Sequence, residues 1–142
     1  MMKKINSILS NTIEIEIPFY DVDAMNIVWH GNYIKYFEVA RCALLDKIGY
    51  DYFQMKDSGY GWPIIDVRAK YIRPCKFKQK IQITAHLTEY ENRLKIEYVI
   101  SDTETGQKHT TGYSIQVAVN LNTEELCFAS PNILIEKLKE YL

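Results

Sequence analysis

The sequence predicts an α+β domain: a five-stranded antiparallel sheet wrapped around one long central helix, with a short helix at the C-terminal end. Three observations carry that reading. An alternating apolar segment comes first, one well-striped helical segment follows it, and from about residue 62 the apolar period becomes two and stays there. Five strands with one apolar face need a cover, and a single helix of about five turns is the available one.

Each element has its own justification. In "TIEIEIPF" (12–19), Ile13, Ile15, Ile17 and Phe19 fall on one face, with Glu14 and Glu16 on the other. The helix expected over about 31 to 48 aligns Tyr33, Phe37, Ala40, Leu44 and Ile48, a stripe widened by Ile34 and Leu45, and Gly49 stops it. "DYFQMKDSGYG" (51–61) reads as one irregular helical turn and a loop. Four strands follow. Their expected inward sets are Ile65, Val67, Ala69 and Tyr71; Ile81, Ile83, Ala85 and Leu87; Leu94, Ile96, Tyr98 and Ile100; and Tyr113, Ile115, Val117, Val119 and Leu121. The short turns "ENR" and "DTETGQ" make the last three an antiparallel meander. In "SPNILIEKLKEYL" (130–142), Ser130 is the expected N-cap and Pro131 the first helical residue.

Size and composition narrow the function. The 142 residues, 47% apolar and 25% charged, suit a single domain with a sizeable core. A net charge of −1 supplies no basic field for nucleic acid, and "KFKQK" (76–80) reads as a solvated strand start. No apolar run approaches the roughly 20 residues that span a bilayer, and "MMKKINSILSN" is too broken for a signal peptide. Cys42, Cys75 and Cys127 are odd in number and widely spaced, which argues against a disulfide framework and a zinc site. A reduced, cytoplasmic protein is the simplest expectation.

The chemistry gathers in "YDVDAMNIVWHGNY" (20–33), between the first strand and the long helix. If that helix starts near Gly31, the N–H groups of His30, Gly31 and Asn32 lie at its positive end, without intrahelical acceptors. Such an end binds an anion or a developing oxyanion, and a glycine lets a substrate approach the backbone. Asp23 stands a few residues earlier. A carboxylate beside an oxyanion site is minimal equipment for acyl transfer to water. The commonplace use of such an Asp is a cap or a turn. No G-x-S-x-G elbow, P-loop or dinucleotide-binding glycine pattern occurs, and no cysteine has a histidine partner in the pattern.

The stretch "YDVDAMNIVWHGNYIKYFEVAR" closely resembles the signature of the 4-hydroxybenzoyl-CoA thioesterase family of hotdog-fold proteins, most of all its small Tol-Pal-associated bacterial acyl-CoA thioesterases. Their pattern is an Asp-x-Asp-Ala start, a Gly-Val-Val-Tyr/Trp-His middle, an Asn-Tyr pair and a Phe-Glu-x-Ala-Arg helix. "GWPIIDVRAKYIRPCKFKQKI" continues the match less tightly. The resemblance implies a hotdog fold, hydrolysis of an acyl-CoA thioester, no metal, and no cofactor beyond the coenzyme A of the substrate. It places the catalytic carboxylate at Asp23 and the carbonyl-polarising amide at His30. It also implies an active site between two subunits, hence an obligate homodimer, often paired into a tetramer.

One departure is Asn26, where the family has glycine; Asn is the residue best able to take a left-handed conformation. Asp21 reads as structural. Glu38, spaced for an ion pair with Arg41, is the second-choice carboxylate. Trp29, Gly31, Asn32 and Tyr33 are candidate substrate-binding residues, although aromatics at helical spacing more often serve a core. For the phosphates of coenzyme A the resemblance points to the turn "ENRLK", hence Arg93, then Lys95, with Arg73 a further possibility. Hydrolysis of carrier-protein or aromatic acyl thioesters, and acyl-CoA binding without catalysis, are the alternatives.

Overall fold

The computed structural model describes residues 5–142; the Lys3–Lys4 pair of the N-terminal stretch lies outside them. In chain order the elements are β1 (Leu9–Glu16), a 3₁₀ turn (Phe19–Asp21), α1 (Asn32–Lys47), α2 (Tyr52–Asp57), β2 (Tyr60–Gly61), β3 (Ile64–Tyr71), β4 (Lys80–Glu89), β5 (Leu94–Asp102), β6 (Lys108–Gln116), β7 (Val119–Asn120), α3 (Asn132–Leu138) and a closing 3₁₀ turn (Lys139–Tyr141). Five strands form one antiparallel sheet in the order β1-β4-β5-β6-β3. β2 and β7 pair separately.

The helix and the middle strands form as their patterns require. Tyr33, Phe37, Ala40, Leu44 and Ile48 are all buried, and so are the inward sets of β4 and β5. Each such large apolar side chain contributes about 1.5–3 kcal/mol by leaving water. Gly49, at φ 70°, takes the left-handed position that ends α1. α2 is a fuller helix than one irregular turn. Asp51 caps it by accepting from the Gln54 N–H, and the Gln54 side chain accepts from the Asp51 N–H, at 2.8 Å each.

Four expectations need correction. Phe19 leaves the sheet in the 3₁₀ turn and is exposed. β6 has the opposite parity: Thr110, Gly112, Ser114 and Gln116 lie opposite the inward residues of β5, so Tyr113 and Ile115 face the other way. At Gly112 the reason is the bulk of Phe37, which stacks on Tyr98 at 4.5 Å and would lie 2.6 Å from a Cβ there. The expected last strand also breaks at Val117 and Ala118, and Val119–Asn120 pairs with β2 instead. Finally, α3 begins at Asn132 with Pro131 at its cap position in extended conformation, one residue later than expected. Ser130 makes no capping bond; its Oγ is buried without a partner.

α1 packs over β1 and β4, towards one side of the sheet. The inward side of β3 is therefore left bare: Val67 is 43% and Tyr71 50% exposed.

Candidate active site

The loop between β1 and α1 is built around Asp21, which is 3% exposed. Its carboxylate accepts from the Tyr36 hydroxyl at 2.6 Å and from the Lys35 ammonium, and its carbonyl accepts from Trp29 N–H and Asn32 Nδ2. Burial first, then the Asp21 carboxylate, pushes the Tyr36 phenol well above its ordinary range, so it stays a donor. Asp21 thus ties the loop to the first turns of α1, a structural role. Asn32, a candidate for substrate contact, has its amide in that tie.

Asp23 is placed differently. Val22 and Val28 bridge, and between them the Asp23 N–H donates to Ile27 O at 2.8 Å and the Asn26 N–H to Asp23 O at 3.0 Å. Asn26 sits at φ 62°, the left-handed conformation that glycine has in the family pattern. One carboxylate oxygen of Asp23 accepts from the Met25 N–H at 2.8 Å, while the other has no hydrogen-bond partner among the described residues. The side chain is exposed. A hairpin held by its own backbone bonds therefore presents a carboxylate with one open oxygen.

The start of α1 is also open. Gly31 occupies the cap position with helical φ, so no side chain can cap the helix from there. Trp29 N–H donates to Asp21 O, and Asn32 N–H to Trp29 O, whereas the N–H groups of His30 and Gly31 make no backbone hydrogen bond among the described residues. The His30 carbonyl is fixed by the Tyr71 hydroxyl at 3.0 Å. The Trp29 ring lies over Gly31; a Cβ there would meet it at 2.2 Å, so the ring takes the space that the glycine leaves.

His30 and Tyr71 line a groove of about 350 Å³ together with Ile27, Val28, Tyr33 and Arg73, among others, whereas Trp29, Gly31 and Asn32 are not among its lining residues. Tyr33 contributes its ring, since its hydroxyl accepts from the Cys75 N–H at 3.1 Å. Burial pushes the Cys75 thiol up to about 11, which leaves it protonated and inert near neutral pH. Asp23 stands on the loop beside the groove and is not among its lining residues. Tyr71 is a groove residue that sequence reasoning missed, because its period-two position reads as core. A larger, mostly apolar cavity of about 590 Å³ lies near the other end of α1, lined by Arg41, Leu45, Phe53, Met55, Trp62 and Leu121 among others.

Other candidates lie apart. Glu38 is exposed and paired with Arg41 at 3.3 Å. Arg93 places its guanidinium fork on Glu89, with both contacts at 3.0 Å, and Lys95 lies 3.8 Å from the same carboxylate. That turn is at the far end of the sheet from His30: Leu94 aligns with Gln116 and Ile64, whereas Tyr71 aligns with Thr110 and Ile100. Within one chain, Arg93 and the groove are not brought together.

The sequence profile of the Thioesterase-like superfamily matches residues 17–136. The chain belongs to this superfamily. It is 32% identical over 85 residues to a Bacillus subtilis protein provisionally named acyl-CoA thioesterase YneP, a match covering 60% of this chain and 61% of that one. Among solved structures, the DHNA-CoA thioesterase of Staphylococcus aureus superposes with a TM-score of 0.80 at 26% identity, over 93% of this chain and 87% of that one. A mutant 4-hydroxybenzoyl-CoA thioesterase complexed with 4-hydroxybenzoyl-CoA superposes with a TM-score of 0.78 at 23% identity, over 91% and 98% of the two chains. The fold is the hotdog fold of these thioesterases. No helix among the described residues is long and apolar enough to cross a membrane.

Proposed function

We propose that the protein hydrolyses acyl-CoA thioesters in the groove at the start of α1. The single observation that carries this reading is the pair of unbonded N–H groups at His30 and Gly31, on a helix end that no side chain caps. A thioester carbonyl oxygen directed at the His30 N–H gains hydrogen bonding and the helix dipole as negative charge develops on it. Asp23 supplies the carboxylate. As a general base it takes a proton from water, the hydroxide adds to the carbonyl carbon, and the C–S bond breaks to release the thiolate. As a nucleophile it forms an acyl-aspartyl anhydride and expels the same thiolate, and water then cleaves the anhydride. Thiolate leaves readily, so neither route needs a strong general acid.

The bare inward face of β3 supports a homodimer formed by pairing this edge with its copy. Antiparallel pairing would carry the Ile64 end of one β3, with the neighbouring Arg93 turn, towards the Tyr71 and His30 end of the other. An aromatic acyl group is a specific variant of the reading, favoured by the hydroxybenzoyl substrate in the name of the second of these similar structures.

The test is thiol release from short, long and aromatic acyl-CoAs by wild type and Asp23→Asn. Turnover of at least one of them, with a loss of 100-fold or more in the variant, is the expected result. Binding without release in wild type would show a non-catalytic acyl-CoA module. Full activity in the variant would transfer the role to another carboxylate, Glu38 first.

A further inference from the structure

We propose that Arg73, oriented by Gln107, is the anion clamp of the groove and takes an anionic oxygen group of the thioester ligand beside the His30 amide. The proposal rests on the reading of the groove as the acyl-CoA site and names what that site selects. Arg73 lines the same groove as His30. With its amide oxygen facing the guanidinium, Gln107 accepts from Arg73 Nε and Nη2 at 3.1 Å each. Only the oxygen can accept from a guanidinium, so this orientation of the amide is the bonded one.

A neutral partner gives geometry without cancelling charge. Arg73 forms no ion pair among the described residues, unlike Arg41 and Arg93, whose guanidinium groups meet Glu38 and Glu89. Asp102, whose N–H donates to the Gln107 carbonyl, is committed elsewhere: its carboxylate accepts from Gln79 Nε2 at 2.7 Å and from the N–H groups of Glu104 and Thr105 at 2.9 Å. The Arg73 backbone is locked as well. The N–H groups of Ile72 and Arg73 both donate to His109 O, and His109 Nδ1 lies 3.1 Å from Pro74 O while its Nε2 lies 3.3 Å from the Gln79 amide nitrogen. A fixed, uncompensated guanidinium on a groove rim is suited to bidentate recognition of carboxylate or phosphate.

Two sources could present that group: a second carboxylate on the acyl moiety, or a phosphate of coenzyme A. Equilibrium binding of non-hydrolysable thioether analogues separates them and needs no turnover. The analogues carry a neutral or an ω-carboxylated acyl group, each on coenzyme A and on phosphate-free pantetheine. Arg73→Met is expected to weaken one class by about 10- to 100-fold, the range of a lost charge-assisted contact. Loss confined to coenzyme A analogues assigns the phosphate, and loss confined to carboxylated acyl groups on either carrier assigns the carboxylate. Gln107→Glu, which keeps the shape but places a carboxylate on the fork, is expected to reproduce the loss with Arg73 still present. Unchanged affinity across all analogues in both variants, with thermal unfolding as in wild type, would overturn the clamp. If wild type binds none of the analogues, the clamp has no ligand and falls. Analogues bound tightly without any thiol release from true substrates would instead overturn only the hydrolytic reading.

Discussion

Two aspartates two residues apart stand in opposite surroundings, and the difference is visible at single atoms. Asp21 is buried with both carboxylate oxygens engaged, whereas Asp23 is exposed with one oxygen open. Removing the first should damage the fold; removing the second should damage turnover. Asp21→Ala leaves the buried Tyr36 hydroxyl without its acceptor, at an expected cost of about 2 kcal/mol, while the Trp29 and Asn32 bonds to the Asp21 backbone carbonyl remain. Lys35 is half exposed and recovers water, so its share is discounted. Asp23→Asn should change stability by no more than about 0.5 kcal/mol, as surface substitutions do. Urea unfolding of both variants checks the contrast, and equal stability losses would contradict it. That the helix end and the Asp23 carboxylate share one loop could be read from the sequence because both lie within one short segment. Partners distant in sequence could not: neither the Gln107 fork on Arg73 nor the Tyr71 bond to His30 leaves a mark in the local pattern.

For the elements, the decisive contact is α1 on β6. Phe37 fills the space over Gly112, where an added Cβ would lie 2.2 Å from the Arg68 carbonyl oxygen and 2.6 Å from the Phe37 ring. Neither the sheet backbone nor a ring stacked on Tyr98 can yield cheaply. Gly112→Ala is therefore expected to cost about 1–3 kcal/mol through overpacking. A chemical denaturation midpoint equal to wild type would show that the helix has room there. The same contact explains what sequence reasoning could and could not resolve. β4 and β5 are covered by the helix, so their apolar alternation names the buried face correctly. On β6 the alternation of Tyr113 and Ile115 points the wrong way, because the inward position under the Phe37 ring is a glycine and inward Ser114 and Gln116 are polar residues bonded to Tyr98 and to the Trp62 carbonyl. Period alone carries no information on which face meets a bulky neighbour.

For the whole molecule, the open question is what covers β3. Its outer edge has no partner strand among the described residues, and Ile65, Val67 and Tyr71 are 59%, 43% and 50% exposed. A long apolar edge is a hazard for a chain that stays alone. The opposite edge, β1, carries Glu14 and Glu16 and is the better protected of the two. Pairing β3 with its copy would extend the sheet and bury these side chains, and it would bring a second chain to the His30 groove. Val67→Lys places a charge on the inward face of that edge, where Val67 borders a pocket shared with Ile34, Phe37, Glu38 and Arg41 of α1, and leaves Asp21 and Asp23 unchanged. The expected outcome is a folded monomer by sedimentation, with wild-type circular dichroism and thiol release reduced at least tenfold. Activity should return in part at high protein concentration, because mass action restores the dimer. A variant that stays dimeric would place the interface elsewhere. A monomer that hydrolyses at the wild-type rate would show instead that one chain holds the whole site.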